Sequence, residues 1–179
     1  MVVMVRERKG TYRYLAIGFL TLLISTYISV TAFGGQYEDA SAAYERSDYA
    51  TAYRLFKPMA EQGHAEAQYN LGGMYAEGRG VPQDYGEATK WFRKAAEQGH
   101  AEAQYNLGGM YFRGRGVPRD FVLAHMWFNL SVSRVPASEG EKREATEIII
   151  DLVASKMTPY QIAEAQRLAR EWKPKEEVK

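Results

Sequence analysis

Apolar residues in this chain recur at helical spacing in short runs, separated by breaks rich in glycine, proline and aspartate. From Ala65 to Glu77 the positions Ala67, Leu71, Met74 and Tyr75 fall on one face. From Ala101 to Arg113 their counterparts Ala103, Leu107, Met110 and Tyr111 do the same, so both stretches are predicted amphipathic helices. Two further runs, Ala88, Trp91, Phe92, Ala95, Ala96 and Ala124, Trp127, Phe128, Ser131, Val132, predict helices of their own. Between the helices lie EGRGVPQD (Glu77 to Asp84) and RGRGVPRD (Arg113 to Asp120), whose glycines and proline stop one helix and set up the next. Asp84 and Asp120 stand just before their runs as helix N-caps, and Asp84 has Glu87 at the capping-box spacing. Gly63 and Gly99 read as C-terminal caps, with His64 and His100 opening the following helix.

These runs are copies of one unit. The sixteen residues Ala60 to Tyr75, AEQGHAEAQYNLGGMY, return letter for letter at Ala96 to Tyr111, a period of 36. A unit of that length cannot bury its apolar face alone and stacks on its neighbours. A third, partial copy precedes the two, because Asp48, Asp84 and Asp120 share a phase, as do Ala52, Ala88 and Ala124, and Phe56, Phe92 and Phe128. Its inter-helix loop is five residues shorter, which predicts a tighter hairpin over 36–63, with Pro58 as a bend in its second helix. The two full units are placed at 64–99 and 100–135. Within them Gly72-Gly73 and Gly108-Gly109 each cost about 1 kcal/mol per glycine relative to alanine in a free helix, so a steric role is expected.

Past Arg134 the period lapses. A helix over Glu141 to Lys156, with Ala145, Ile148, Ile149, Leu152 and Val153 as its apolar stripe, leads to a last helix announced by Thr158-Pro159-Tyr160-Gln161. Ile162, Ala165, Leu168, Ala169 and Trp172 form the face of that helix. The segment 136–173 is read as the cap that closes the stack, and 174–179 as a solvated tail. The other reading leaves Ile148 to Leu152 and Trp172 exposed for a partner.

The residues Ala65 to Gly99 resemble the Sel1-like repeat throughout, in the order A-x-A-Q-x-x-L-G-x-x-Y, G-x-G-V-x-x-D and A-x-x-W. Ala101 to Val132 follow the pattern through Trp127, where Ser131-Val132 replace its small pair, and the first hairpin resembles the related tetratricopeptide repeat. The resemblance implies an all-α, right-handed α/α solenoid whose members act mostly as adaptors in signalling, envelope and secretion complexes.

Composition narrows the function. Tyr14 to Tyr37 carry no charge, and Leu15 to Phe33 is apolar enough to enter a bilayer behind the basic residues Arg6, Arg8, Lys9 and Arg13. The segment 1–32 is either a secretory signal cleaved after Val30-Thr31-Ala32 or a membrane anchor in which residues 15–33 are retained. Either places the repeats outside the cytoplasm, in the periplasm or cell envelope. The net charge of +1 comes from that basic start, and beyond it 19 basic residues face 21 acidic ones, so no bulk attraction to nucleic acid is expected. With no cysteine there is no disulfide framework, thiol nucleophile or thiolate metal site.

No nucleophile, metal-ligand or phosphate-loop motif appears, so no catalytic residue, metal, cofactor or small-molecule substrate is expected. His64 and His100 recur because their loop recurs, and His125 reads as a packing residue. The stripe Glu66, Asn70, Gly73, Glu77 and its copy Glu102, Asn106, Gly109, Arg113 lie off the apolar face, flanked by Tyr69 and Tyr105. An asparagine amide donates to and accepts from a peptide backbone at once. The resemblance implies a groove in which such asparagines hold an extended peptide, so Glu66, Tyr69, Asn70, Glu102, Tyr105, Asn106 and Arg113 are the candidate partner-binding residues. Arg79, Arg113, Arg115 and Arg119 are a candidate basic rim. An exported scaffold for a protein or peptide partner is the leading expectation. A membrane-tethered assembly factor and an enzyme of β-lactam or cell-wall substrates are the alternatives, the last against the absence of the paired cysteines of the Sel1-like proteins linked to such chemistry.

Overall fold

The computed structural model describes residues 35–136 and 138–175; the leader expected at 1–32, the run 15–33 up to its last residue, and the tail from 176 onward lie outside the described residues. Eight helices and no strand occur among the described residues: α1 over 35–45, α2 (Tyr49–Glu61), α3 (Ala65–Glu77), α4 (Tyr85–Glu97), α5 (Ala101–Arg113), α6 (Phe121–Val132), α7 (Gly140–Ala154) and α8 (Pro159–Glu171). Consecutive helices pack as hairpins, α1 with α2, α3 with α4, α5 with α6, and the hairpins stack side by side. The result is an all-α repeat solenoid.

Most of the helices start or stop at a local signal. Asp84 accepts from the backbone N–H groups of Gly86 and Glu87, and Asp120 accepts from Leu123, which satisfies orphan donors at the two N-termini. The histidines do the same elsewhere: Nδ1 of His64 accepts from Ala67 N and Nδ1 of His100 from Ala103 N, both at 3.2 Å, so they cap α3 and α5 rather than merely opening them. At the other end Gly78 and Gly114 take left-handed φ of 70° and 66° as the C-caps. Helix α2 continues through Pro58, which sits in its last turn. Thr158 and Gln161 form the capping box of α8, with Pro159 in its first turn.

Within a hairpin one glycine of each pair sets the spacing. A Cβ on Gly72 would stand 2.7 Å from the Phe92 ring, and one on Gly108 would stand 3.0 Å from Phe128, whereas Gly73 faces open space. Between hairpins the joint is made by backbone and amides. A Cβ on Gly80 would meet the carbonyl oxygen of Tyr49 at 2.5 Å, and one on Gly116 would strike that of Tyr85, so each G-x-G loop lies directly on the start of the preceding unit's second helix. The buried Gln68 donates to Ala60 O at 3.0 Å and accepts from Gln98 at 2.8 Å, and the buried Gln104 donates to Ala96 O at 3.1 Å. His125, also buried, receives a hydrogen bond from Asn129 on Nδ1, and burial pushes its pKa down.

The C-terminal helices flank α6. Trp172 after α8 meets Trp127 edge-on at 6.2 Å and lies under the Arg134 guanidinium at 4.7 Å, while Leu168 and Ala169 join the core formed by α4, α5 and α6. Helix α7 packs through a stripe rotated from the expected one, keeping only Ile149 and Val153 of it. Thr146 and Val153 are buried and Ile149 and Ile150 half-buried, while Ala145 is exposed and Ile148 and Leu152 are 63% and 49% exposed. Three consecutive isoleucines, Ile148 to Ile150, satisfy two helical phases equally, and contact with α6 selects the other one.

Candidate functional site

Helices α1, α3, α5 and α7 border a groove, and the repeated sequence places a tyrosine and an asparagine from each full unit along it. Tyr69 stacks on His100 with ring centroids 4.7 Å apart and planes 21° from parallel, and it also meets Phe92. Its hydroxyl pKa is raised, chiefly by burial. His100 is fixed from both sides. Because Nδ1 accepts the α5 cap bond, the neutral ring carries its proton on Nε2, which donates to Glu66 at 2.8 Å. Glu66 is thereby tied to the next unit at the exposed rim.

Asn70 and Asn106 occupy equivalent positions and meet different surroundings. The Asn70 amide donates to the Tyr37 hydroxyl at 3.0 Å, in register with the Tyr37 ring that stacks on His64. Asn106 has no side-chain hydrogen bond among the described residues, and it borders three adjoining clefts. The first, of about 320 Å³, also takes in Tyr69, Asn70, Gly73, Met110 and Arg113. The second, of about 130 Å³, is walled by Tyr105, Phe112, Phe128, Ile149 and Leu152, again with Arg113. The third, of about 290 Å³, runs toward α7 past Tyr69, Glu102, Tyr105 and Lys142.

Tyr105 lacks the histidine that Tyr69 has, since the position one period after His100 is Pro136. It meets Phe128 edge-on at 5.3 Å and remains 37% exposed. Glu102 is bound to Lys142 at 2.6 Å, a bond across to α7 that lowers its pKa. Of the four arginines considered as a rim, Arg79 donates to the Tyr44 hydroxyl at 2.7 Å and pairs with Glu77 at 2.7 Å, so it belongs to the joint between the first two units. Arg115 lies over Tyr85 and Arg119 over Phe121.

The structure thus brings Tyr69, Asn70, Tyr105, Asn106, Glu102 and Arg113 to one continuous groove and sets Glu66 at its edge. The apolar wall from α7, Ile149 and Leu152, belongs to the stripe whose leading reading from the sequence is a core face and whose other reading is an exposed partner surface. Among the described residues no group of three or more acids and histidines could hold a metal, and no helix is long and apolar enough to cross a membrane.

The three hairpins match the Sel1 repeat family over residues 36–64, 65–100 and 101–134. The chain belongs to that family. Sel1 repeats generally serve as protein-interaction scaffolds and are typically noncatalytic. No curated protein matches this Sel1 chain. Among solved structures it is similar to c5321, a protective antigen present in uropathogenic Escherichia coli strains displaying an SLR fold, at 33% identity and a TM-score of 0.66 over 78% of this chain and 29% of that one. It is also similar to a Sel1 repeat protein from Oxalobacter formigenes, at 32% identity and a TM-score of 0.53 over 60% of this chain and 44% of the other. The chain therefore spans less than half the length of either.

Proposed function

We propose that this Sel1 chain is an exported, noncatalytic scaffold that holds an extended segment of a cell-envelope protein in the groove centred on Asn106. The observation that carries the reading is the difference between two identical residues. Asn70 has its amide occupied by Tyr37, while Asn106 presents an unoccupied donor and acceptor where three clefts meet. A half-buried amide at the junction of apolar hollows is suited to a peptide backbone, which needs both a donor and an acceptor and brings side chains on either side. Export and an envelope location rest on the basic start and the apolar run 15–33 of the sequence, in either its cleaved or its retained form.

The test is photocrosslinking in the native host. A photoreactive residue at position 105 or 113 is expected to give discrete adducts that Asn106→Glu abolishes. The same probe at Tyr160, which is 81% exposed and away from the groove, is expected to give none. Equal labelling at all three sites would remove the groove from consideration.

A further inference from the structure

The two full repeats form a comparison that the chain carries within itself. They are identical through Tyr75 and Tyr111 and diverge immediately afterwards, where Ala76-Glu77 in the first become Phe112-Arg113 in the second and Gln83 becomes Arg119. In the first unit Glu77 neutralises Arg79 at 2.7 Å. In the second an arginine stands where that carboxylate would be, so Arg115 loses its counter-ion. Among the described residues none of Arg113, Arg115, Arg119 and Lys156 forms an ion pair or a side-chain hydrogen bond. These four cations, with Phe112 and Phe121, line one hollow of about 570 Å³ that has no acid in its walls.

Two of the cations are held in place by rings, Arg115 over Tyr85 at 5.1 Å and Arg119 over Phe121 at 5.4 Å. Like charges gathered without a partner repel one another, and the repulsion is relieved by an anionic ligand. The cationic hollow is continuous, through Phe112 and Arg113, with the apolar slot beside Asn106 and Leu152. A free anion would use only the first of these features, and a lipid surface has no use for the amide. We infer that the groove selects an acidic peptide segment, seating an aliphatic or aromatic side chain in the slot by Phe128 and Leu152 and carboxylates on the arginine cluster. This rests on the reading of the groove as a peptide site and adds the chemistry of its occupant.

The experiment is selection of a random dodecapeptide phage library on the full chain, followed by titration of the synthesised peptides. Selected peptides are expected to carry Asp or Glu close to an apolar residue. Their affinity is expected to fall about tenfold in the double variant Arg113→Glu, Arg119→Gln, and to weaken as salt is raised. That variant gives the second unit the residues the first already accommodates, so its fold is preserved. Peptides that depend on Asn106 but show no acidic preference and bind the double variant equally would overturn the inference and leave the groove reading standing. Failure to select any Asn106-dependent peptide would overturn both. Binding of phosphatidylglycerol vesicles that the double variant loses, with no peptide selected, would assign the cations to a membrane surface and likewise overturn the proposal.

Discussion

At the scale of single residues, neighbouring glycines in the same dipeptide have opposite roles. Gly72 is covered by Phe92, itself only 2% exposed and unable to give way, so Gly72→Ala forces the α3–α4 hairpin apart. Overpacking of this kind costs about 1–3 kcal/mol. Gly73 has nothing within 4 Å of its Cβ position and helical backbone, so Gly73→Ala is expected to stabilise by up to about 1 kcal/mol from helix propensity alone. Urea denaturation of the two variants checks this, and a shift of the same sign in both would refute it. The sequence announced a steric role for the pair without saying which member carried it. Both are compatible with a helix, and only the position of Phe92 separates them.

At the scale of elements, helices α3 and α5 bury an apolar face and are each started by a histidine cap. His100 caps α5, stacks on Tyr69 of α3 and donates to Glu66, so one ring joins two units. His100→Ala is expected to lose about 2 kcal/mol, with His100→Asn recovering the cap share of it, about 1 kcal/mol, but not the stacking. Thermal denaturation followed by circular dichroism measures both, and full recovery by asparagine would show that the stack contributes nothing. Helix positions from α2 to α6 were legible because each carries its stop signals in the local sequence: Asp caps, Gly-His joints and G-x-G-V-P loops. The face of α7 was not legible. Its apolar residues are dense enough to fit two phases, and the choice is made by packing against α6, which the periodicity of α7 alone does not encode. The unoccupied state of Asn106 was invisible for the same reason. Asn70 and Asn106 sit in identical sequence, and what distinguishes them is Tyr37 on one side and a helix of the cap on the other.

At the scale of the whole molecule, a stack of hairpins is as stable as its least protected end. The last repeat is closed by α8 and Trp172, which covers Trp127, leaving it 6% exposed, and is covered in turn by Arg134. Trp172→Ala is expected to lower stability by about 3 kcal/mol and to shift the remaining tryptophan emission to longer wavelength as Trp127 meets water. An unchanged spectrum would mean that α8 is a passenger on the solenoid. The groove depends on the same closure from its other side, since α7 supplies Lys142 to Glu102 and the apolar wall beside Asn106.

The loops that press Gly80 and Gly116 onto a neighbour's backbone have a consequence for how such a molecule comes to exist. Because the joint is written in main-chain contacts and amides repeated between the units, a copied unit meets its neighbour through the same surfaces its parent used. Duplication therefore yields a ready-made fit, while the positions just past each joint stay free to drift. In this chain Glu77 and Arg113 show where that freedom begins: the architecture is inherited whole, and the chemistry is edited at its margins.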